Sequence, residues 1–522
     1  MTRLRASRFG GQASGRAPRV GLRATGASDS ALRATSDTPA KPGGGHVTDV
    51  EIDALAANGD GIASLSGRRI TVPFTIPGER VRVRVASRPH GRPATSPGAT
   101  PSTSPERNRP ASLGTSATAT LLEVLRASPH RTAPSCRHFG VGAAPGIGPC
   151  GGCSWQHIAY AEQLRLKTQL VDRLVRAVVP RAPETRATLT ATPVDRPWGY
   201  RNKVHFVFGS RGAALTMGHY VRGSRRVIPV AECPVHDTRG NAFAFGARDA
   251  FTAAGLQAAD GHRGTLRSLA IRVGCRTREI MATLVVSSDR DRLVRSATRR
   301  LLEQAPPTSM HLNVHAREDA FIFGPSTRHL HGSTRMREEV AGASFLVSPT
   351  AFFQTNVLAA DLLVRLVLDA VPPASRVLDL YAGSGLFAIP LAAAGHDVVA
   401  VEENRGAVAD GEAALKLNVA AQGRCRFIAR RVEAALASLR AAGVVVLDPP
   451  REGCSPPVLR EVFGRLRPAT AVYVSCNPEA LAADLDPICR AGYEVASIQP
   501  VDMFPHTAHI ETVMTFRRAD TC

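Results

Sequence analysis

The sequence predicts an α/β protein whose last third is a doubly wound parallel sheet, preceded by an α+β central domain and a small amino-terminal β-barrel. Three patterns point there. From residue 346 onward, continuous Val/Leu/Ile runs such as "RVLDLYAG", "DVVAVEEN", "VVVLDPP" and "AVYVSCNP" alternate with amphipathic helical stretches. Strands covered on both faces by crossover helices read this way. From His46, short alternating runs ("VTDVEID", "RRITVPF", "RVRVRVA") are separated by "NGDG", "SGR" and "IPGE" turns, as in a small barrel. Between 190 and 345, strand-like runs ("KVHFVFG", "LAIRVG", "IMATLVVS", "HLNVHA") surround a helix expected near 290–304.

Taken in order, residues 1–45 are rich in Gly, Ser, Arg and Pro without hydrophobic periodicity, so a disordered basic tail is expected. Their composition resembles a transit peptide but lacks an amphipathic pattern, which favours an extension or an over-extended start. The barrel is assigned to 46–127, with a Pro/Ser/Thr-rich insertion at 88–117 before the last strand, "TATLLEVLRAS". The central domain, 128–345, opens on a cysteine group at 136–153. Next comes a helix in which Leu164, Leu170, Val171, Leu174, Val175 and Val178 recur at helical spacing. The final domain is 346–522.

Composition narrows the class. Lys and Arg number 65 against 44 acidic residues, a formal charge of +21. Such an excess favours polyanions and salt-sensitive nucleic-acid binding. No apolar run approaches the ~20 residues that cross a bilayer, so a soluble protein is expected. Ten cysteines in 522 residues, with no secretory signal, suit a reducing cytoplasm, where clustered Cys indicates metal or catalysis.

The chemistry concentrates in the last domain. "VLDLYAGSGL" runs from a strand into a Gly-rich turn, and Gly383 and Gly385 let a ligand approach the backbone. The following strand ends in Glu402, placed to accept from ribose hydroxyls. The turn lacks the third Gly that a pyrophosphate needs, so S-adenosylmethionine is the leading cofactor. "VVVLDPPREG" exposes Asp448 and Arg451 at a rigid Pro-Pro turn. Where amino-directed methyltransferases place an aromatic residue after Pro-Pro, Arg451 stands here, which favours a ring-carbon target. "VYVSCNP" then delivers Cys476 at a strand end. A thiolate adding at C6 of a pyrimidine turns the unreactive C5 into a carbon able to attack a methyl group, which is covalent catalysis. The thiol's ordinary pKa near ~8.5 needs lowering, and the helix beginning near Glu479 is a candidate source. A base must afterwards remove the C5 proton, and Glu511 in "FPHTAHIETV" is the candidate.

In this order, "LDLYAGSGLF", "VEEN", "LDPPREG", "SCNPEALAADL" and "FPHTAHIETV" resemble the S-adenosylmethionine-dependent RNA 5-methyluridine methyltransferases, from His46 to the carboxy terminus. The resemblance implies a Rossmann-like methyltransferase domain, Cys476 as nucleophile and Glu511 as base. It also implies cofactor contacts from Gln354 of "FFQTN", Tyr381, Gly383, Gly385, Glu402 and Asp448. "DGIASLSGRRITVPFTIPGERVRVRV" resembles the family's TRAM domain, an OB-like RNA-binding barrel. "CRHFG…CGGCSWQH" with "AECPVH" resembles its iron–sulfur segment, implying Cys136, Cys150, Cys153 and Cys233 as ligands of a 4Fe–4S cluster, with zinc as alternative. Thirteen residues separate Cys136 from Cys150, where the family usually has five. Leu386 and Arg431 depart from the family pattern and are not assigned to the cofactor.

The expected activity is methyl transfer to C5 of a flipped or loop uridine in structured RNA, ribosomal rather than transfer RNA, by a cytoplasmic monomer. Two other readings stay open: a cytosine-C5 methyltransferase, in which Cys454 would be a second catalytic cysteine, and a non-catalytic RNA-binding protein with a structural metal site. Cys275, Cys425, Cys489 and Cys522 are expected to be incidental.

Overall fold

The computed structural model describes residues 45–86, 115–142, 148–259, 264–317 and 322–519. The expectations for residues 1–44, for the insertion at 88–114 and for Cys522 lie outside that set. Gly45, taken with the tail, begins a strand, and Thr115, taken with the insertion, begins another.

The first strands form a six-stranded sheet in which Gly45–Glu51 and Thr115–Arg126 flank Arg80–Ala86. Alternation places Val81 and Val83 in its core and Arg80 and Arg82 on the other face. Those arginines face acids: Arg82 pairs with Asp49 and Glu123 at 2.9 Å each, and Arg126 with Glu51 at 3.1 Å. Part of the arginine excess read as polyanion-binding is therefore neutralised across strands.

The predicted helix spans Tyr160–Val178. Its buried stripe differs from the apolar reading, because Gln163 and Lys167 are fully buried while Val178 is exposed. Lys167 Nζ meets Asp502 at 2.6 Å with neither side chain exposed. Gln163 Nε2 donates to the Trp155 and Ile158 carbonyls. Distant partners place these polar residues inside, and periodicity counts them as solvent-facing.

A seven-stranded central sheet follows, running from Ser326–Gly332 at one edge through Leu266–Val273 and Lys203–Arg211 to Val227–Pro229 at the other. Helices Thr238–Ala253 and Arg292–Gln304 pack against it. In the last domain the strand order is Cys425–Ala429, Asp397–Glu402, Arg376–Leu380, Val444–Leu447, Thr470–Ser475, Glu511–Arg518, Tyr493–Val501. The first five are parallel, as expected. Glu511–Arg518 alone runs against the other six, antiparallel to both of its neighbours, so the sheet is mixed at one edge. The strand order reverses beside Arg376–Leu380, next to Val444–Leu447, which is where open α/β sheets open a ligand crevice at the strands' carboxyl ends.

Candidate active site

Three turns meet at that crevice. The first follows Arg376–Leu380. Tyr381 holds φ at +65°, unusual for an aromatic residue, and Gly383 and Gly385 are also left-handed. A Cβ on Gly383 would point into open space, whereas one on Gly385 would lie 2.8 Å from the Phe427 ring. Gly383 keeps the approach open and Gly385 allows close packing beneath it. Glu402 closes the turn: one oxygen accepts from Gly383 N at 2.9 Å, the other from Asn404 N at 2.7 Å.

The second turn follows Val444–Leu447 and presents Asp448, whose N–H donates to the Leu380 carbonyl at 3.3 Å. Burial raises the Asp448 carboxyl to about 7. Beside it, Asp379 is completely buried and has no ion-pair partner among the described residues. Burial and the neighbouring charges of Asp448 and Glu402 push it well above the carboxylate range. An Asp inside a Leu-rich strand carries no motif of its own, so in the sequence only that misfit marks Asp379.

The third turn, after Thr470–Ser475, holds Cys476. Asn477 caps the helix Pro478–Arg490 by accepting from Glu479 N at 3.1 Å, and its amide donates to the Arg451 carbonyl at 2.9 Å. The antiparallel register pairs Ser475 with Thr512, so Glu511 lies one step on, beside Cys476. Glu511 is buried, and burial with the Asp448 charge raises it well above the usual range, opposed by Arg451. The thiol departs from expectation. Burial first, then the Glu511 and Asp448 charges, push Cys476 up to about 12, with the Arg451 charge among the opposing influences.

The segment delivering Glu511 is clamped from outside the domain. His506 sits at φ +65° and stacks on Trp198 at 3.9 Å. Its carbonyl accepts from Ser154 N and Trp155 N, its N–H donates to Gln163 Oε1 at 2.8 Å, and Tyr200 OH donates to the Pro505 carbonyl. Gln354 is buried in the loop before helix Val357–Ala370, and Asn356 ties that loop to the Met503 carbonyl at 3.2 Å. Two residues before Gln354, Phe352 is 74% exposed, an aromatic face that no motif had singled out.

Cys454 is fully buried in the core under the Pro-Pro turn. Its packing gives it no path to a substrate. Cys136, Cys150, Cys153 and Cys233 line one cavity of about 500 Å³ together with His138, Arg201 and Arg222. The longer spacing does not keep Cys136 away from the others. All four are free thiols, raised by burial, Cys153 to about 12 and Cys233 to about 11. Among the described residues, no three His, Cys, Asp or Glu side chains converge tightly enough to hold a metal ion. No helix among them is long and apolar enough to cross a membrane.

A family model described as tRNA (uracil-5-)-methyltransferase matches residues 276–519, and a TRAM-domain model of tRNA (uracil(54)-C(5))-methyltransferase matches 48–92. The chain is 35% identical to an uncharacterized RNA methyltransferase of Gloeobacter violaceus, over 92% of this chain and 99% of that one. It is 33% identical to another from Thermosynechococcus vestitus, over 90% and 97%. Its fold is similar to the crystal structure of Pyrococcus abyssi tRNA (uracil-54, C5)-methyltransferase in complex with S-adenosyl-L-homocysteine. That match has a TM-score of 0.67 at 24% identity and covers 90% of this chain and all of the other.

Proposed function

The chain belongs to the S-adenosylmethionine-dependent RNA uracil-C5 methyltransferases, and from that premise we propose that Cys476 and Glu511 methylate a uridine in structured RNA through a covalent adduct. The observation that supports it is their adjacency across the Ser475–Thr512 register, with Asp448 and Arg451 acting on both. S-adenosylmethionine is consumed as a substrate, held by Tyr381, Gly383, Gly385, Glu402, Gln354 and Asp448. Its sulfonium charge favours the ionised forms of Asp448, Cys476 and Glu511, against the burial that raises all three.

The Cys476 thiolate adds to C6, and the displaced electron pair makes C5 nucleophilic. C5 takes the methyl carbon, and the methyl–sulfur bond breaks to leave neutral S-adenosylhomocysteine. Glu511 accepts the C5 proton, the C6–sulfur bond breaks, and the 5,6 double bond returns with thiolate as leaving group. Phe352 offers a stacking face for a base drawn out of its helix.

Cys136, Cys150, Cys153 and Cys233 would hold an iron–sulfur cluster. Four thiols lining one cavity offer the all-thiolate donor set that such a cluster takes. Bound there, it would supply structural cross-linking of the segment next to Ser154 and Trp155.

The test is tritiated methyl transfer to bulk RNA followed by nucleoside identification. 5-Methyluridine supports the proposal; 5-methylcytidine, or no transfer, overturns it. The preference for ribosomal RNA rests on the barrel and the cysteine segment, while the matching family models carry transfer-RNA names. Mass spectrometry of both RNAs from a deletion strain decides between them.

A further inference from the structure

At one end of the central sheet, two cations stand together with no ion-pair partner among the described residues. Lys203 and Arg272 are cross-strand partners on adjacent antiparallel strands. Arg272 is 3% exposed; its Nη2 donates to the Ala351 carbonyl at 2.9 Å, and its Nη1 has no partner. The Lys203 ammonium lies over the Phe323 ring, 5.7 Å from its centre. Among the described residues neither makes an ion pair, and Glu338 and Asp410 act on Arg272 only through space. Burial, with the charges of Arg272 and Arg201, lowers Lys203 to about 7. The same seam leaves other polar atoms unpartnered. Asn202, whose N–H donates to the Thr355 carbonyl at 2.8 Å, has neither side-chain atom hydrogen-bonded, and Thr355 Oγ1 is likewise unpartnered.

Buried cations are normally paired, because an unpaired one is costly to desolvate. Two other buried or partly buried cations among the described residues are paired: Lys167 has Asp502 and Arg131 has Glu79. An exception that also leaves a guanidinium N–H unused points to an anion supplied from outside. The loop touching Arg272 is the one that presents Phe352 and Gln354, so the subsite adjoins the cleft where the target base would enter.

We propose that Lys203 and Arg272 form a phosphate subsite that takes a backbone phosphodiester of the substrate RNA beside the target uridine. This rests on the RNA reading above. The other anion in reach is the methionine carboxylate of the methyl donor. The glycine turn and Glu402 stand on a different sheet, which favours the phosphodiester.

The test uses full-length protein carrying Cys476→Ala, so that binding stays non-covalent. The probe is a fluorescein-labelled single-stranded oligouridine of about a dozen nucleotides, titrated over a range of salt. Lys203→Met should weaken RNA binding about tenfold and lower the log–log salt slope by about one. S-adenosylhomocysteine affinity, measured by calorimetry, should not change. Arg272→Lys keeps the charge and loses the second arm, and should give a smaller loss; it decides the matter if Lys203→Met does not fold. Unchanged RNA affinity and slope would overturn the proposal. Loss of S-adenosylhomocysteine affinity alone would also overturn it, assigning the pair to the methionine carboxylate. Failure of the functional reading is distinct: the salt slope would still depend on Lys203 while the wild-type chain methylated no RNA.

Discussion

The amide of Asn477 donates to the main-chain carbonyl of Arg451 at 2.9 Å, joining the turn that carries Cys476 to the turn that carries Asp448. The same side chain caps the following helix. One residue therefore sets the distance between the proposed nucleophile and the strand end beside the cofactor loop. Asn477→Ser retains a cap but cannot span the gap. Single-turnover adduct formation should slow roughly tenfold to a hundredfold, as expected for a misplaced reacting group, with thermal stability within about 1 kcal/mol. An unchanged rate would mean the two turns hold their spacing without this bond.

Glu511→Gln should retain methyl transfer in a single turnover but fail to release RNA. The product is a denaturant-resistant protein–RNA band carrying the labelled methyl group. Cys476→Ala should give no band and at least about a thousandfold loss of turnover. A Glu511→Gln enzyme that turns over normally would assign the proton to another group.

Asp448 connects pH to stability in the ligand-free protein. Its carboxyl is raised from 3.8 to about 7. A group raised on folding stabilises most below its unfolded value, and that contribution disappears as pH rises through the folded value. The melting temperature should therefore fall between about pH 4 and pH 7, with Asp379 and Glu511, also raised, acting in the same sense. Asp448→Asn should reduce the fall and raise the melting temperature above neutral pH by roughly 2–5 °C. Scanning fluorimetry across pH measures both; parallel curves for the two proteins would remove Asp448 from the account.

Lys167 and Asp502 are 335 positions apart and wholly buried together. Lys167→Met leaves the Asp502 charge unpaired, which costs roughly 3–5 kcal/mol. Adding Asp502→Asn should recover part of it, because no net charge is then buried. Denaturant unfolding of the single and double variants tests this. A double variant no more stable than the single would show that Asp502 matters through its bonds to Tyr160 and Phe504.

Gly385→Ala places a methyl group 2.8 Å from Phe427 on a left-handed residue. Calorimetry should find S-adenosylhomocysteine binding weakened by at least about tenfold. Gly383→Ala meets open space on the protein side but puts a side chain on a left-handed residue, so a loss of about 1 kcal/mol in stability should accompany its effect on ligand affinity.

Most of the methyltransferase domain was legible in the chain because its signals are local. Val/Leu/Ile strands ending in Gly-rich, Asp-Pro-Pro or Cys-Asn-Pro turns mark where a parallel sheet presents side chains. That order by itself singles out Asp448, Cys476 and Glu511. The antiparallel edge was less legible, since Tyr493–Val501 and Glu511–Arg518 read as further apolar strands and direction is not written in composition.

By itself the sequence determined the succession of elements, the turns and the residue types offered at each strand end, because these depend on neighbours in the chain. Only the tertiary structure decided how those residues are charged and which ones meet. It placed Gln163 and Lys167 inside a helix stripe that periodicity reads as polar. It brought Cys136 to the other three thiols across a longer loop, and set Arg82 between two acids. It raised the Cys476 thiol where a helix start had suggested lowering. Burial and Coulomb interactions sum over neighbours in space, and those neighbours are hundreds of residues away in sequence.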